Sequence, residues 1–468
     1  MDDGKKVLAR IPTPKAGPAL YTTASEVATM ELARDFLNVP IPRVFDWSAT
    51  DDNPVESEYI IMEEALGTRL GCVWDDLNME SMLKVMKEIV SIETKLTSVT
   101  FSHYGNIYFA SDNVPGAVPA QIISEAPADL IESVSKRFTI GPVVNASFWA
   151  KERPVMDISR GPWTTPTDYA LSISQRETAF IERYAGPKHR DGIVVVSSEQ
   201  DIPAAHIQLL NKYSQVVPSL VDLEDCFTRS ALWHEDLHVS NLFVENDHIT
   251  AVIDWQGVWA GPLFLQAGPS PVVDYQGELL FTRPDNYADL DAEKQAEIKQ
   301  QIVKSCLLQL YLFETKKVNP ELARFYQLDH GKTRRRPLIF AGDSWARSII
   351  PFRGVMVNVE RYWKEMGMEG DCPISFTEDE IKCHREDAEN WNLVQDIFDE
   401  IDHFVKRDGW TFNETFDDAL EVFIDARKTL LEMSTGDEKE EIDKLTQWAE
   451  DRRLGQSRLK SSEDLAAE

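Results

Sequence analysis

Trp233-His234-Glu235-Asp236-Leu237-His238-Val239-Ser240-Asn241, followed by Asp254 in Val252-Ile253-Asp254-Trp255, is the stretch on which the fold turns. It offers a carboxylate at Asp236, an amide five residues on at Asn241, and a second carboxylate at Asp254. Between Asn241 and Asp254 lie two apolar runs, Leu242-Phe243-Val244 and Ile249-Thr250-Ala251-Val252-Ile253, around Glu245-Asn246-Asp247-His248. Two β-rich runs flanking an Asn-Asp turn predict a hairpin. Phosphoryl transfer from ATP calls for this set. An aspartate, here Asp236, orients and deprotonates the attacking hydroxyl; an amide and a carboxylate, Asn241 and Asp254, hold Mg²⁺.

The same letters also spell His-Glu-x-x-His, in which two histidines one helical turn apart bind zinc. That reading needs a helix running through His234 and His238 and well past them. A hairpin begins there instead, and the zinc reading leaves Asp254 without a role.

Upstream, residues 5–11 predict a short strand stopped by Pro12 and Pro14. A helix is expected from Ser25 as N-cap, with apolar positions 27, 30, 32, 33 and 36 mostly on one side. Pro40 to Val44 lead into a strand, Tyr59-Ile60-Ile61-Met62 make another, and Glu63-Glu64-Ala65-Leu66-Gly67 form a connector. Downstream, Met82, Val85, Met86, Ile89, Ile92 and Leu96 recur at helical spacing over 80–96. Residues 138–165 read as an aromatic-rich loop, and helices are expected over 167–184, 201–217, 287–316, 319–328, 345–363, 377–406 and 413–433. Lys332-Thr333-Arg334-Arg335-Arg336, the one strong basic run, reads as a solvated loop.

Over 468 residues, 48 basic against 79 acidic side chains give a formal net charge of −31. Such a surface repels nucleic acid and anionic lipid on average, so an anionic nucleotide needs local positive charge and Mg²⁺. The five scattered cysteines suit free thiols in a reducing compartment. No apolar run approaches the roughly 18 residues of a membrane span. The start, Met1-Asp2-Asp3-Gly4-Lys5-Lys6, is neither a secretory signal nor a transit peptide. The expected location is therefore the cytoplasm if that N-terminus is native.

The pattern His-x-Asp-x-x-x-x-Asn with Ile-Asp-Trp resembles the aminoglycoside phosphotransferase and choline kinase-like superfamily, cousins of protein kinases. Further blocks resemble a narrower fungal group, the altered inheritance of mitochondria protein 9 family. They include Val7-Leu8-Ala9-Arg10-Ile11-Pro12, Ser25-Glu26-Val27-Ala28-Thr29-Met30, Glu58 to Glu63, Arg160-Gly161-Pro162-Trp163-Thr164 and Ile253-Asp254-Trp255-Gln256.

The resemblance implies an α+β, two-lobed, protein kinase-like fold. The expected divisions are a truncated small β lobe over 1–66, a large, mainly helical lobe over 67–360, a helical extension over 361–450 and a disordered tail over 451–468. It also implies ATP and Mg²⁺ as cofactors, a mitochondrial location and a role in mitochondrial maintenance. Arg10, paired with Glu26, takes the place of the basic residue that neutralises the α/β-phosphates, where arginine instead of lysine is a departure. Adenine is expected against the backbone of Met62, Glu63 and Ala65. The first two strands and their glycine-rich loop have no counterpart, and Asp3-Gly4 reads as the hairpin turn before the third strand. His234 is expected to brace the catalytic loop, and His238 to be structural. The acceptor is an unspecified small molecule carrying a hydroxyl, and the alternative is a kinase-like binding or scaffold protein without turnover.

Overall fold

A computed structural model describes residues 6–12, 17–186, 197–401, 411, 415–436, 439–440, 442–444, 446–450 and 452. The first elements are β1 (Val7–Arg10), α1 (Tyr21–Asp35), β2 (Val44–Ser48) and β3 (Tyr59–Glu63). They form an antiparallel sheet of order β1-β3-β2, with Arg10 opposite Ile60 and Val7 opposite Glu63. Helix α1 buries Val27, Ala28, Met30, Leu32 and Ala33 in the same core as Ile60 and Met62 of β3. This is the strand, helix, strand and connector order expected of a small kinase-like lobe.

The connector passes close to the backbone at Val244. Gly67 has φ near 90°, and a Cβ there would sit 2.4 Å from the Val244 carbonyl oxygen. Only glycine fits that approach at that backbone angle. Next come β4 (Thr68–Arg69), α2 (Met79–Leu96), β5 (Asn106–Phe109), β6 (Val118–Pro119), α3 (Ala128–Arg137) and β7 (Phe138–Gly141). The chain continues through α4 (Pro166–Tyr184), α5 (Pro203–Leu220), α6 (Asp225–Thr228), β8 (Ser230–Leu232), β9 (Leu242–Glu245), β10 (His248–Val252) and β11 (Ala260–Pro262). Strands β9 and β10 are the expected hairpin, and β4 adds to its β9 edge. Strand β8 pairs with β11, which brings the chain before the catalytic loop beside the chain after Asp254.

The rest is helical: α7 (Leu263–Gln266), α8 (Ala292–Val318), α9 (Pro320–Tyr326), α10 (Gly331–Ala341), α11 (Ile349–Arg361), α12 (Glu378–Ile401) and α13 (Phe416–Met433). Two compact units result. One comprises Met1–Ala185, Pro203–Ser348 and Val355–Ser375; the other comprises Gly186–Ile202, Ile349–Gly354 and Phe376–Glu468. Every candidate site residue belongs to the first. In the second, Leu420, Ile424 and Ala449 form a small apolar cluster, and Arg427 pairs with Asp443.

Several expectations need correction. Helix α1 starts at Tyr21, four residues before Ser25. Ser25 is not a cap but a buried internal residue whose hydroxyl accepts from Asn106 Nδ2 at 2.9 Å. The stretch 138–165 is not all loop, because Phe138–Gly141 is the central strand of the sheet β5-β7-β6. The helix expected from Trp345 begins at Ile349. The basic run lies in α10 and is not a solvated loop. Arg334 is buried and donates to the carbonyl oxygens of Ser219, Leu220 and Met366, and Arg335 donates to that of Ala267. The Asp3-Gly4 turn lies outside the described residues, as does nearly all of the tail.

The core also holds a carboxyl group, Glu93 of α2, at 2% exposure. The Tyr311 hydroxyl donates to its Oε2 at 2.7 Å, yet burial dominates and raises its pKa from 4.5 to about 8. The folded protein therefore holds a proton there that the unfolded chain has released. This contribution to stability is complete below about pH 4.5 and is lost as pH rises through about 8. Glu93→Gln keeps an acceptor for Tyr311 and cannot ionise. Denaturant melts across pH 5 to 9 are expected to show a flatter decline in the variant. A decline as steep as in the parent would exclude Glu93 as its source.

Candidate active site

The candidate catalytic segment begins where β8 ends. Trp233 and His234 are buried, while Asp236 turns outward with its side chain 64% exposed. Burial lowers the His234 pKa, so the imidazole is neutral at physiological pH. Its Nε2 lies 3.1 Å from the Ile253 carbonyl oxygen, which only accepts, so Nε2 carries the proton and donates. The histidine thus ties the catalytic loop to the residue preceding Asp254. Ser270 Oγ donates to the Leu237 carbonyl oxygen at 2.8 Å and holds the loop from the other side.

Asn241 sits at the end of a one-turn 3₁₀ segment, Val239–Asn241. Its Nδ2 donates to the Asp236 carbonyl oxygen at 3.0 Å and to Asp236 Oδ2 at 3.3 Å. Its own carbonyl accepts from the Ile253 N–H at 3.0 Å. These bonds fix the amide orientation and leave Oδ1 as its outward oxygen. His238 accepts from the Ser240 N–H through Nδ1, and its Nε2 lies 3.4 Å from Asp236 Oδ1.

Asp254 follows β10 in a left-handed conformation, φ 64°. A non-glycine residue there costs roughly 1–3 kcal/mol and persists only where the surroundings enforce it. Trp255 supplies the enforcement. Its indole is fully buried, donates to the Val252 carbonyl oxygen at 3.0 Å and meets His234 edge-on, 4.9 Å between ring centres. With the tryptophan buried, the chain reverses and the Asp254 side chain is left 43% exposed.

Arg10 reaches the same place from β1. One terminal nitrogen pairs with Glu26, and the other donates to Gln256 Oε1 at 2.9 Å and lies 3.6 Å from Asp254 Oδ1. Burial raises the Glu26 pKa to about 7; Asp254 adds to the shift and Arg10 opposes it. Arg10, Glu26, Asp254, Asn241 and Asp236 are therefore joined by direct or one-residue contacts. Met62, Glu63 and Ala65 lie at the end of β3 and the start of the connector; Met62 is buried, and the Glu63 N–H donates to the Arg43 carbonyl oxygen.

Beside Asp236 opens a cavity of about 320 Å³. Tyr169, Trp233 and Trp259 contribute aromatic surface, and Glu235, Asp236 and Gln256 contribute polar atoms. Glu235 lines the cavity; its partial burial raises its pKa, with Arg335 opposing and Asp236 adding. The metal-protease alternative does not fit. His234 and His238 share no helix, and no group of three or more His, Cys, Asp or Glu among the described residues is placed to hold a metal. Asp254 and the side-chain Oδ1 of Asn241 are hard oxygen donors of the kind Mg²⁺ takes, one or two from protein and the rest from phosphate and water.

Sequence reasoning missed Gln256, Glu235, the aromatic wall and the approach of His238 to Asp236. The Ile-Asp-Trp-Gln block contained Gln256, but nothing in the letters indicated a bond to a residue 246 positions away.

Residues 167–265, which hold the Asp236–Asn241 loop, the hairpin and Asp254, match the model of the phosphotransferase enzyme family. The match is confined to that stretch of the chain. Among similar chains is a subtelomeric hrmA-associated cluster protein of Aspergillus fumigatus, 29% identical over 90% of this chain and 87% of its own length. Altered inheritance of mitochondria protein 9 of Yarrowia lipolytica is 25% identical, covering 84% of this chain and 69% of that protein. Its Candida albicans counterpart is 23% identical over 95% and 74%. Among solved structures, apo aminoglycoside phosphotransferase APH(4)-Ia is 15% identical, with a TM-score of 0.34 over 78% of this chain and 89% of that one.

Proposed function

We propose that this chain is an ATP-dependent phosphotransferase that moves the γ-phosphoryl group onto a hydroxyl of a small molecule. The observation that carries the reading is the Asp236–Asn241–Asp254 cluster with the Arg10–Glu26 pair against it. When bound, Mg²⁺ supplies charge neutralisation on the phosphates and orients them. Asp254 and Asn241 hold that ion, Arg10 neutralises α/β charge, and adenine rests against Met62, Glu63 and Ala65. Asp236 accepts the acceptor's hydroxyl proton while the new O–P bond forms and the bond from Pγ to the bridging oxygen breaks, releasing ADP. Positioning and charge stabilisation provide most of the acceleration.

The cavity beside Asp236 favours a compact acceptor. Aromatic faces with Glu235 and Asp236 at their edge attract a cationic group, so a small hydroxylated amine is the class to screen. A mitochondrial role is proposed from the names of the fungal relatives. A kinase-like binding protein without turnover would keep the same nucleotide site; both terminal nitrogens of Arg10 being engaged within the protein favours keeping it as the second reading.

Titration calorimetry with ATP, with and without Mg²⁺, is the test. Saturable binding that requires Mg²⁺ is expected, followed by ADP release when hydroxylated amines are supplied. Absence of nucleotide binding would defeat the proposal, and binding without release for any acceptor would favour the second reading.

A further inference from the structure

Arg10 differs in shape from the lysine it replaces. A lysine ammonium is a compact point charge, whereas a guanidinium presents a rigid planar fork whose ends meet two partners at once. Both ends of Arg10 are used, by residues far apart in sequence. Glu26 of the buried face of α1 takes one terminal nitrogen, and Gln256, two residues past Asp254, takes the other at 2.9 Å through Oε1. The second nitrogen is also 3.6 Å from Asp254 Oδ1, so the fork lies beside the candidate metal ligand. Gln256 itself lines the cavity beside Asp236.

We infer that Gln256 is a positioning residue for Arg10, and that the two form a clamp which sets the guanidinium plane between the nucleotide phosphates and the acceptor cavity. The inference rests on the phosphotransferase reading and deepens it. It also gives a physical reason for arginine on β1, since a lysine reaching Glu26 has no second arm for Gln256.

The amide suits this task because it accepts a hydrogen bond without carrying charge. Glu26 is already one anion on Arg10, with Asp254 close by. A carboxylate at 256 would bind the fork more strongly and cancel the charge it offers to phosphate. Glutamine fixes its orientation and leaves the charge available.

A positioning role separates from a merely structural one through opposite signs in two measurements on the full chain. Gln256→Met keeps the side-chain length and removes the acceptor. Gln256→Glu keeps the acceptor and adds charge. Titration with ADP and Mg²⁺ is expected to show affinity lower by about tenfold in Gln256→Met, as for loss of a hydrogen bond to a charged group. A larger loss is expected in Gln256→Glu. Denaturant melts without nucleotide are expected to show Gln256→Glu at least as stable as the parent. Arg10→Lys should weaken ADP binding, and adding Gln256→Met to it should cost nothing further.

Unchanged affinity in Gln256→Met, or losses that add in the double variant, would overturn the clamp. If the parent chain binds no ADP, the phosphotransferase reading fails, and the cycle is read from the nucleotide-free melts. Coupling between Arg10→Lys and Gln256→Met there would support the pair, and independence would refute it.

Discussion

Asp236→Asn is expected to lower phosphoryl transfer by about 10²–10⁴-fold, the usual contribution of a positioned general base, while nucleotide affinity stays within a factor of about two. The substitution is nearly isosteric. Its side-chain oxygen still meets Asn241 Nδ2, and its backbone carbonyl still accepts from the same amide. The lost property is the capacity to take a proton from an attacking hydroxyl. Asp236 and Asp254 both line the cavity, but it is Asp254 that meets Arg10, so substituting Asp236 leaves the Arg10–Asp254 contact in place. Comparing kcat with calorimetric ATP affinity in parent and variant decides the matter. Full turnover in Asp236→Asn would remove it from the reaction.

Asp254→Ala is expected to do the opposite, abolishing Mg²⁺-dependent ATP binding. It deletes the one carboxylate that meets Arg10 beside Asn241, and it removes the strongest hard oxygen donor proposed for the ion. The fold should tolerate the change, because Trp255 and not Asp254 anchors the turn. Alanine at φ 64° is still strained, so a small loss of stability is expected alongside. Calorimetry with and without Mg²⁺, paired with a thermal melt, separates the two effects. Binding that persists with the same Mg²⁺ requirement would show that the ion is held elsewhere.

Much of the cluster was legible in the sequence because its chemistry is local. Asp236 and Asn241 are five residues apart, a hairpin returns the chain to Asp254, and hairpins announce themselves through turn residues and β-rich flanks. Strand β1 and helix α1 were legible for the same reason, through Pro12 and the apolar stripe of α1. The start of α1 was not, since Leu20 occupies the N-cap position and makes no capping bond. Strand β7 was hidden among glycine, proline and aromatic residues that read as loop, and its partners are β5 and β6. Gln256 and the Glu235–Arg335 proximity arise from long-range packing, which no periodicity encodes.

The basic run of α10 failed for a different reason. Charge in a sequence is read as exposure, whereas arginine reaches buried carbonyls with five donors and loses little by doing so. Arg334 is such a case.

Among the described residues, Arg153, Arg176, Arg334, Arg353 and Arg427 are buried, against the buried carboxyls of Glu26, Glu93 and Glu177. Among these residues more positive than negative side chains are thus withdrawn from the solvent, so burial does nothing to relieve the acidity that the formal count of −31 conveys. An anionic nucleotide approaches this surface uphill, through a sheath of mobile cations. Added salt draws that sheath in and lowers the hill, so ionic strength hastens the encounter here, the reverse of its effect on proteins that capture anions with an exposed basic face.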